Sequence, residues 1–183
     1  GITGSVGKTS TKDLTLAAMS ASRRTWANER SLNNDFGLPT TVLNTPVDTQ
    51  VMIVEMGMRG PGEIARLCRI AQPTIGVVTR VAEAHSGLLG GLDGVANAKA
   101  ELLESLPAAG TAILNHDDAR VAAMASRTDA AVLRFGAQAG ADVRVSGIRL
   151  DAFARPSFEV ATPWGSVAVT LGFSGAHMAL NAA

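Results

Sequence analysis

The chain has 183 residues, of which 46% are hydrophobic and 4% aromatic, and its 16 basic and 16 acidic residues cancel. This length suffices for a substantial core, while the balanced charge and few aromatic residues argue against binding to nucleic acid or to an anionic membrane surface. The single cysteine excludes an internal disulfide and a cysteine zinc cluster, and no apolar run reaches the ~20 residues that cross a bilayer, so we expect a cytoplasmic protein without membrane insertion.

A glycine-rich loop opens the chain and leads into a helix. The loop is Gly4-Ser5-Val6-Gly7-Lys8-Thr9-Ser10, and a helical pattern follows to about Ser22. Glycine lets the backbone curl so that successive N–H groups point at one anion, and the helix N-terminus adds the positive end of its dipole. Lys8 supplies a mobile positive charge and Thr9 a hydroxyl for magnesium. Ile2 stands where the general P-loop pattern has a glycine, but Gly-Lys-Thr opening a helix still predicts a phosphate-binding loop rather than a simple turn.

Strands and helices then alternate along the chain. We predict strands at 25–27, 51–54, 75–79, 112–114 and 131–135, and helices at 40–43, 62–71, 95–106 and 119–125. This alternation predicts an α/β fold, a P-loop-type three-layer domain with a mainly parallel sheet. Within residues 141–172 short strands joined by a turn at 163–165 predict a small antiparallel β section, and a last helix begins near His177.

Two polar residues follow predicted strands. Glu55 ends strand 51–54, and His85 lies in the turn after strand 75–79. Ligands of parallel sheets bind beyond the carboxyl ends of the strands, so Lys8, Glu55 and His85 could lie at one edge. A buried carboxylate needs a partner or a metal, and one glutamate with the Thr9 hydroxyl and phosphate oxygens suffices for magnesium.

Simpler interpretations remain open at this stage. Glu55 could be a surface carboxylate past a strand, and His85 a polar loop residue. Lys99 on helix 95–106 could be a solvated lysine paired with a glutamate, and Asn181 could cap backbone groups. Spacing alone does not decide between these interpretations and a functional site.

Several motifs in order resemble the central domain of the Mur ligase family over nearly the whole chain. They are Thr3-Gly4-Ser5-Val6-Gly7-Lys8-Thr9-Ser10, Glu55-Met56-Gly57, Glu83-Ala84-His85, Ala98-Lys99-Ala100-Glu101 and Gly175-Ala176-His177 with Asn181. The run from Glu55 to Ala65 and the segment Asn33-Asn34 with Gly37-Leu38-Pro39 resemble the members that act on a UDP-N-acetylmuramoyl-tripeptide (UDP-MurNAc-tripeptide).

The resemblance implies catalytic roles for Lys8, Lys99 and His85. Lys8 and the loop amides would hold the β- and γ-phosphates of ATP, with Thr9 and Glu55 at one Mg²⁺. His85 would serve a second Mg²⁺. Lys99 matches a lysine that becomes carbamylated in this family, so that an anionic group would face the metals.

Other matched positions concern the ligands. Asn181 matches the family's adenine contact, and Asn34 would lie toward the nucleotide-sugar substrate. Asn115 and Asp117-Asp118 also match a family segment without a firm role.

The resemblance further implies a carboxylate–amine ligase that joins D-Ala-D-Ala to UDP-MurNAc-tripeptide through an acyl phosphate, in peptidoglycan precursor synthesis. The alternatives are another Mur-like ligase, a folylpolyglutamate synthase, or a P-loop phosphotransferase or nucleotide-binding module. The chain begins at the loop and ends within a predicted helix. We therefore expect residues 1–183 to be the central ATP-binding domain of a protein whose N-terminal substrate domain and C-terminal domain are missing here.

Overall fold

The short apolar segments of the chain form strands in the structure, a computed structural model that describes residues 1–30, 32–83 and 89–183. Each strand is brief, because turn residues and helices interrupt the apolar runs. In chain order the strands are β1 (Ile2–Thr3), β2 (Thr25–Ala27), β3 (Val51–Ile53), β4 (Ile75–Val78), β5 (Thr111–Asn115), β6 (Ala131–Gly136), β7 (Val143–Leu150), β8 (Pro156–Thr162) and β9 (Gly165–Thr170).

Helices connect most of these strands. They are α1 (Lys8–Ser20), α2 (Gly37–Leu43), α3 (Glu63–Ala71), α4 (Leu92–Glu104), α5 (Ala119–Ala123), which continues as a 3₁₀ helix (Met124–Arg127), and α6 (Met178–Ala182). In the described ranges, no helix has the length and apolar character needed to cross a membrane.

The sheet is mainly parallel. Its order is β1-β4-β5-β6-β7-β8-β9, and the pairs from β1 through β7 are parallel. The parallel pair β2-β3 adjoins β1 through a bridge between Ile2 and Glu55, with Ile2 N–H donating to Val54 O and Met56 N–H to Ile2 O, both at 2.8 Å. The central strand that leads into the loop therefore has only two residues but is paired on both sides.

Alternate residues of the central strands face opposite layers of helices. Val78 and Leu114 belong to a buried cluster with Val95 and Leu103 of α4. Their neighbours Val77 and Ile113 instead line an apolar groove beside α1 and α6. This period of two confirms the predicted three-layer α/β fold.

The antiparallel section extends the main sheet. Strand β7 pairs parallel with β6 only at Phe135–Val143 and Gly136–Arg144, and then pairs antiparallel with β8. Phe158 of β8 is buried with Val145 of β7 and Ala179 of α6. The predicted β section at 141–172 is thus continuous with the parallel strands through one short contact.

A glutamate of α4 caps helix α3. Gly62 is the N-cap residue of α3 and has a φ of 80°. Because glycine has no side chain, the cap residue itself cannot accept hydrogen bonds from the first N–H groups of the helix. Glu101 accepts hydrogen bonds from Gly62 N–H (Oε1, 2.6 Å) and Ala65 N–H (Oε2, 3.0 Å). A carboxylate at a helix N-terminus stabilises orphan N–H groups and the helix dipole, so Glu101 fixes α3 against α4.

We expect Glu101→Ala to lower the free energy of unfolding by about 1–3 kcal/mol, because two backbone donors lose a charged acceptor. Urea unfolding of the chain measures this loss. Glu104→Ala is the matched control, since Glu104 lies on the same helix and, among the described residues, its side chain pairs only with the exposed Arg127. Such surface pairs contribute roughly 0–1 kcal/mol, and equal losses in the two variants would contradict the capping role.

Candidate active site

The glycine-rich loop follows β1 and is held by the end of β4. Gly4 has φ 150°, and any side chain there would collide with the Thr79 hydroxyl. The same hydroxyl donates to Val6 O at 2.6 Å, and Ser5 N–H donates to Arg80 O at 2.7 Å. The loop path therefore requires glycine at position 4 and is fixed by contacts across the sheet.

The first turn of α1 presents free N–H groups. Gly7 is the N-cap residue, with φ 89°. Within the described residues, no side chain accepts a hydrogen bond from the backbone N–H groups of Lys8, Thr9 or Ser10. Asn181 of α6 packs closely against Gly7. A Cβ atom at position 7 would lie only 2.8 Å from Asn181 Oδ1. This geometry suits an anion at the helix N-terminus, with Asn181 beside it.

Lys8 lies at the mouth of the loop. Its Nζ donates to Gly4 O at 2.7 Å, and the side chain is half-buried. Burial lowers the pKa of Lys8, and the nearby charge of Glu55 partly opposes this effect. The ammonium is thus held within the loop on the side that faces a carboxylate.

Glu55 is a buried carboxylate surrounded by neutral donors. Its side chain is only 2% exposed. Oε2 accepts from Thr9 Oγ1 at 2.8 Å and Oε1 accepts from Asn33 Nδ2 at 2.6 Å. No basic side chain among the described residues forms an ion pair with it. A buried carboxylate without a paired cation is costly, so the oxygens of Glu55 and Thr9 fit a divalent cation that takes oxygen ligands.

Lys99 is a buried lysine near Lys8. It lies on α4 and is 4% exposed, and among the described residues its Nζ has no hydrogen-bond or ion-pair partner. Burial, with a further contribution from the charge of Lys8, lowers the pKa of Lys99 to about 8. Its amine is therefore far more often neutral near pH 8 than that of a solvated lysine.

Lys8, Lys99 and the loop open onto one cavity. Its volume is about 360 Å³. Asn34 lies on the wall, and its Oδ1 accepts from Phe36 N–H and Gly37 N–H at 3.1 and 3.0 Å, which caps α2. The wall is formed by Gly4, Ser5, Lys8, Asn33, Asn34, Asp35, Phe36, Gly57, Met58, Arg59, Glu63 and Lys99.

Two further polar residues hold the end of β4. Asn115 Nδ2 donates to Thr79 O at 2.7 Å, and Asp118 Oδ2 accepts from Val81 N–H at 2.8 Å while its Oδ1 caps α5. The sequence singled out Asn115 and Asp118 without a role. In the structure they fix the backbone that leads toward Glu83.

In the structure Thr9 contacts Glu55, Lys8 and Lys99 line one cavity, and Asn181 lies beside the loop. His85 lies outside the described residues. Sequence reasoning missed Asn33, which contacts the carboxylate of Glu55 directly, although the Asn33-Asn34 pair was visible as a motif. Nothing in the spacing distinguishes the two asparagines, because only the turn into α2 decides which one points to Glu55.

A glycine-rich loop between a central parallel strand and a helix, with a carboxylate beyond the adjacent strand, defines a P-loop-type α/β domain built to bind phosphate. Residues 2–183 match the Mur ligase middle domain, and the chain belongs to this family.

Several named proteins are similar to this chain over nearly its whole length. A UDP-N-acetylmuramoyl-tripeptide–D-alanyl-D-alanine ligase from Mycobacterium tuberculosis is 43% identical over 182 residues, which are 100% of this chain and 36% of that protein. The crystal structure of MurF from Acinetobacter baumannii matches with a TM-score of 0.92 and 32% identity over 98% of this chain and 39% of that one. The crystal structure of MurF ligase from Thermotoga maritima in complex with ADP matches with a TM-score of 0.86 and 26% identity. That match covers 100% of this chain and 43% of the Thermotoga maritima chain. The chain thus spans well under half the length of these relatives.

The lowered pKa of Lys99 predicts a pH-dependent stability. The folded pKa is about 8 against an ordinary value of 10.5, so the unfolded chain binds more protons between these values and unfolding free energy rises with pH across this window. Lys99 contributes about 3 kcal/mol to this rise in unfolding free energy, and we expect Lys99→Met to abolish that contribution. Urea unfolding of the metal-free chain in buffer free of carbon dioxide, from pH 7 to 10.5, measures both slopes. Parallel profiles for the two proteins would show that burial does not perturb Lys99.

Proposed function

We propose that the whole protein is an ATP-dependent ligase that joins D-Ala-D-Ala to UDP-MurNAc-tripeptide. The observation that carries this proposal is that Lys8, Lys99 and the glycine-rich loop line one cavity, while Thr9 of the same loop contacts the buried carboxylate of Glu55. The activity for which the Mycobacterium tuberculosis relative is named supports the choice of substrates. Since this chain covers 36% of that relative, we also propose that regions outside it, an N-terminal substrate domain and a C-terminal domain, contribute to binding.

The loop would bind the phosphates of ATP. Its backbone N–H groups and the N-terminus of α1 supply a positive cradle, and Lys8 adds a charge that can move from Gly4 O to a phosphate oxygen. The ADP in the Thermotoga maritima relative supports an adenine nucleotide here. Asn181, beside Gly7, would contact the adenine, and Asn34 on the cavity wall would face the nucleotide-sugar substrate.

Thr9 and Glu55 would hold one Mg²⁺, and His85 with carbamylated Lys99 a second. Among the described residues, no three or more His, Cys, Asp or Glu side chains are placed so that they could hold a metal ion. Mg²⁺ does not require such a group, because it keeps waters and phosphate oxygens as ligands. When bound, the metal ions neutralise charge on the phosphates during transfer.

Lys99 is suited to carbamylation. Carbamate forms when the lone pair of a neutral amine attacks carbon dioxide and the nitrogen then loses a proton, and a pKa of about 8 makes that neutral form available. The product exchanges a buried cation near Lys8 for an anion. That change removes a repulsion and creates an oxygen ligand for divalent ions.

The reaction requires activation, since a carboxylate is a poor electrophile. A carboxylate oxygen of the tripeptide attacks the γ-phosphorus of ATP, the bond from that phosphorus to the bridging oxygen breaks, and ADP leaves. The amine of D-Ala-D-Ala attacks the acyl carbon of the resulting acyl phosphate. The tetrahedral intermediate expels inorganic phosphate, and the nitrogen loses a proton. Lys8 holds phosphate charge throughout, and the cavity walls orient the reacting groups.

The whole enzyme should release phosphate from ATP only when UDP-MurNAc-tripeptide and D-Ala-D-Ala are both present, because the acyl phosphate turns over only by aminolysis. A phosphate-release assay with single amino acids and D-Ala-D-Ala as acceptors tests this. Equal turnover with one amino acid would favour another Mur-like ligase, and turnover of a folate with glutamate would favour a folylpolyglutamate synthase. Repeated turnover of ATP into a stable phosphorylated product without any amine would indicate a phosphotransferase.

In the whole enzyme, Lys99→Ala should lower kcat about 100-fold or more, because the site loses its anionic group. A short carboxylate such as acetate should restore part of the activity. Steady-state kinetics with and without acetate measures both effects. Asn97→Ala is the matched control, since Asn97 is exposed on the same helix and contacts only Arg127 among the described side chains. Unchanged turnover in Lys99→Ala would overturn the proposed role.

A further inference from the structure

We propose that Asn28 and Lys12 are positioning residues that set the orientation of Glu55. This inference rests on the proposed function, in which Glu55 holds Mg²⁺. Neither residue lines the cavity, and both are almost completely buried, at 1% and 4% exposure. Asn28 contacts the backbone of Glu55, and Lys12 contacts the backbone of Asn28.

Asn28 takes the place of a strand neighbour for Glu55. Strands β2 and β3 pair in parallel as far as Ala27 and Ile53, and the backbone ladder stops there. Beyond it, Asn28 Oδ1 accepts from Glu55 N–H at 2.8 Å, and Asn28 Nδ2 donates to Glu55 O at 3.3 Å. One side-chain amide therefore satisfies both backbone polar groups of Glu55.

Asn28 also fixes the segment that supplies the carboxylate's second donor. Its Nδ2 donates to Leu32 O at 3.0 Å, and the next residue, Asn33, donates to Glu55 Oε1. The backbone of Asn33 accepts from Gly57 N–H at 2.8 Å. The turn from Asn28 to Asn33 thus holds the backbone of Glu55, its carboxylate and the backbone of Gly57.

Lys12 connects this turn to the helix of the phosphate loop. Its Nζ donates to Asn28 O at 2.8 Å and lies 3.2 Å from Asp13 Oδ1, whose side chain is 59% exposed. A buried ammonium with one neutral acceptor and one solvated carboxylate costs free energy that a methionine of similar length would not. Its directed bond to Asn28 is what a methionine cannot supply.

The geometry has a consequence for Thr9. Thr9 and Lys12 are three residues apart on α1 and so lie on one face of the helix. Thr9 contacts the carboxylate of Glu55 while Lys12 contacts the residue that holds its backbone. Helix α1 therefore fixes Glu55 at two points, and loss of Lys12 or Asn28 leaves the carboxylate free to turn away from Thr9.

The first experiment uses no metal. In the whole protein, amide hydrogen exchange at Glu55 should accelerate in Asn28→Ala, because the Glu55 N–H loses its acceptor. Exchange should accelerate less in Lys12→Met, because Asn28 loses the hydrogen bond from Lys12 but keeps its contact with Glu55. Unchanged exchange at Glu55 in both variants would overturn the inference.

The second experiment measures Mn²⁺ binding in the presence of saturating ADP by electron paramagnetic resonance of the whole protein. We expect Asn28→Ala to weaken Mn²⁺ binding about 10-fold, as for other residues that orient metal ligands, and Lys12→Met by a smaller factor. Because Lys12 acts through Asn28, the double variant should bind no more weakly than Asn28→Ala. Asn28→Asp, which keeps the acceptor but loses both donors, replaces Asn28→Ala if that variant does not fold.

Two controls separate the outcomes. Phe158→Leu, in the buried cluster of the antiparallel section, should lower Tm without changing Mn²⁺ affinity, which removes a general loss of stability as the cause. Glu55→Gln should weaken Mn²⁺ binding directly. If it does so while the Asn28 and Lys12 variants bind normally, the positioning role is wrong and the proposed function stands. If Glu55→Gln binds Mn²⁺ normally, the metal role of Glu55 fails, and the inference fails with it.

Discussion

The pairing of Ile2–Thr3 on both sides is the constraint on which the site depends. Ile2 exchanges backbone hydrogen bonds with Val54 and Met56, and on the other side Val77 N–H donates to Gly1 O and Thr79 N–H to Thr3 O. The Thr3 hydroxyl, fully buried, also donates to Met56 O at 2.9 Å. Two residues therefore align the start of the loop with the end of β4 and with Glu55. A shift of one residue in this register would turn each side chain to the opposite face of the sheet.

The charges around the cavity are arranged for a ligand rather than for the empty fold. Lys8 and Lys99 line the same cavity, and the buried carboxylate of Glu55 accepts hydrogen bonds from neutral donors. Each of these charged groups would be more favourably solvated in water, so burying them lowers the stability of the fold. The three buried hydrophobic clusters offset this loss of free energy. Phosphates and divalent ions would compensate these charges, which explains why the site is polar in an otherwise apolar interior.

Much of the fold could be predicted because strand and helix periods are local properties of the sequence. The parallel strands and the antiparallel section appear where expected, and a glycine-rich loop joins β1 to α1. Boundaries differed where side chains decide them. Helix α2 begins at Gly37 rather than residue 40, since Asn34 caps it, and helix 119–125 changes to a 3₁₀ helix at Met124.

The residues around Glu55 show where local reasoning stops. Glu55 itself was predicted from its place after a strand, and the resemblance to the Mur ligases pointed to Lys99. Asn28 and Lys12 gave no signal, because a lysine on an otherwise regular helix is usually solvated, and its burial here depends on a turn 16 residues away in the chain. Such positions become visible only when the strands that carry them are paired.

The double pairing of β1 also bears on the order in which the molecule can fold. The bond from Thr79 to Thr3 joins residues 76 apart, whereas β7, β8 and β9 pair through short connections. Closing a long loop costs more chain entropy than closing a hairpin. We therefore expect the antiparallel strands to assemble early and the edge that carries the phosphate loop to assemble late. Until that step, Lys8, Glu55 and Lys99 lie on separate parts of the chain, and a partly folded molecule has no binding site.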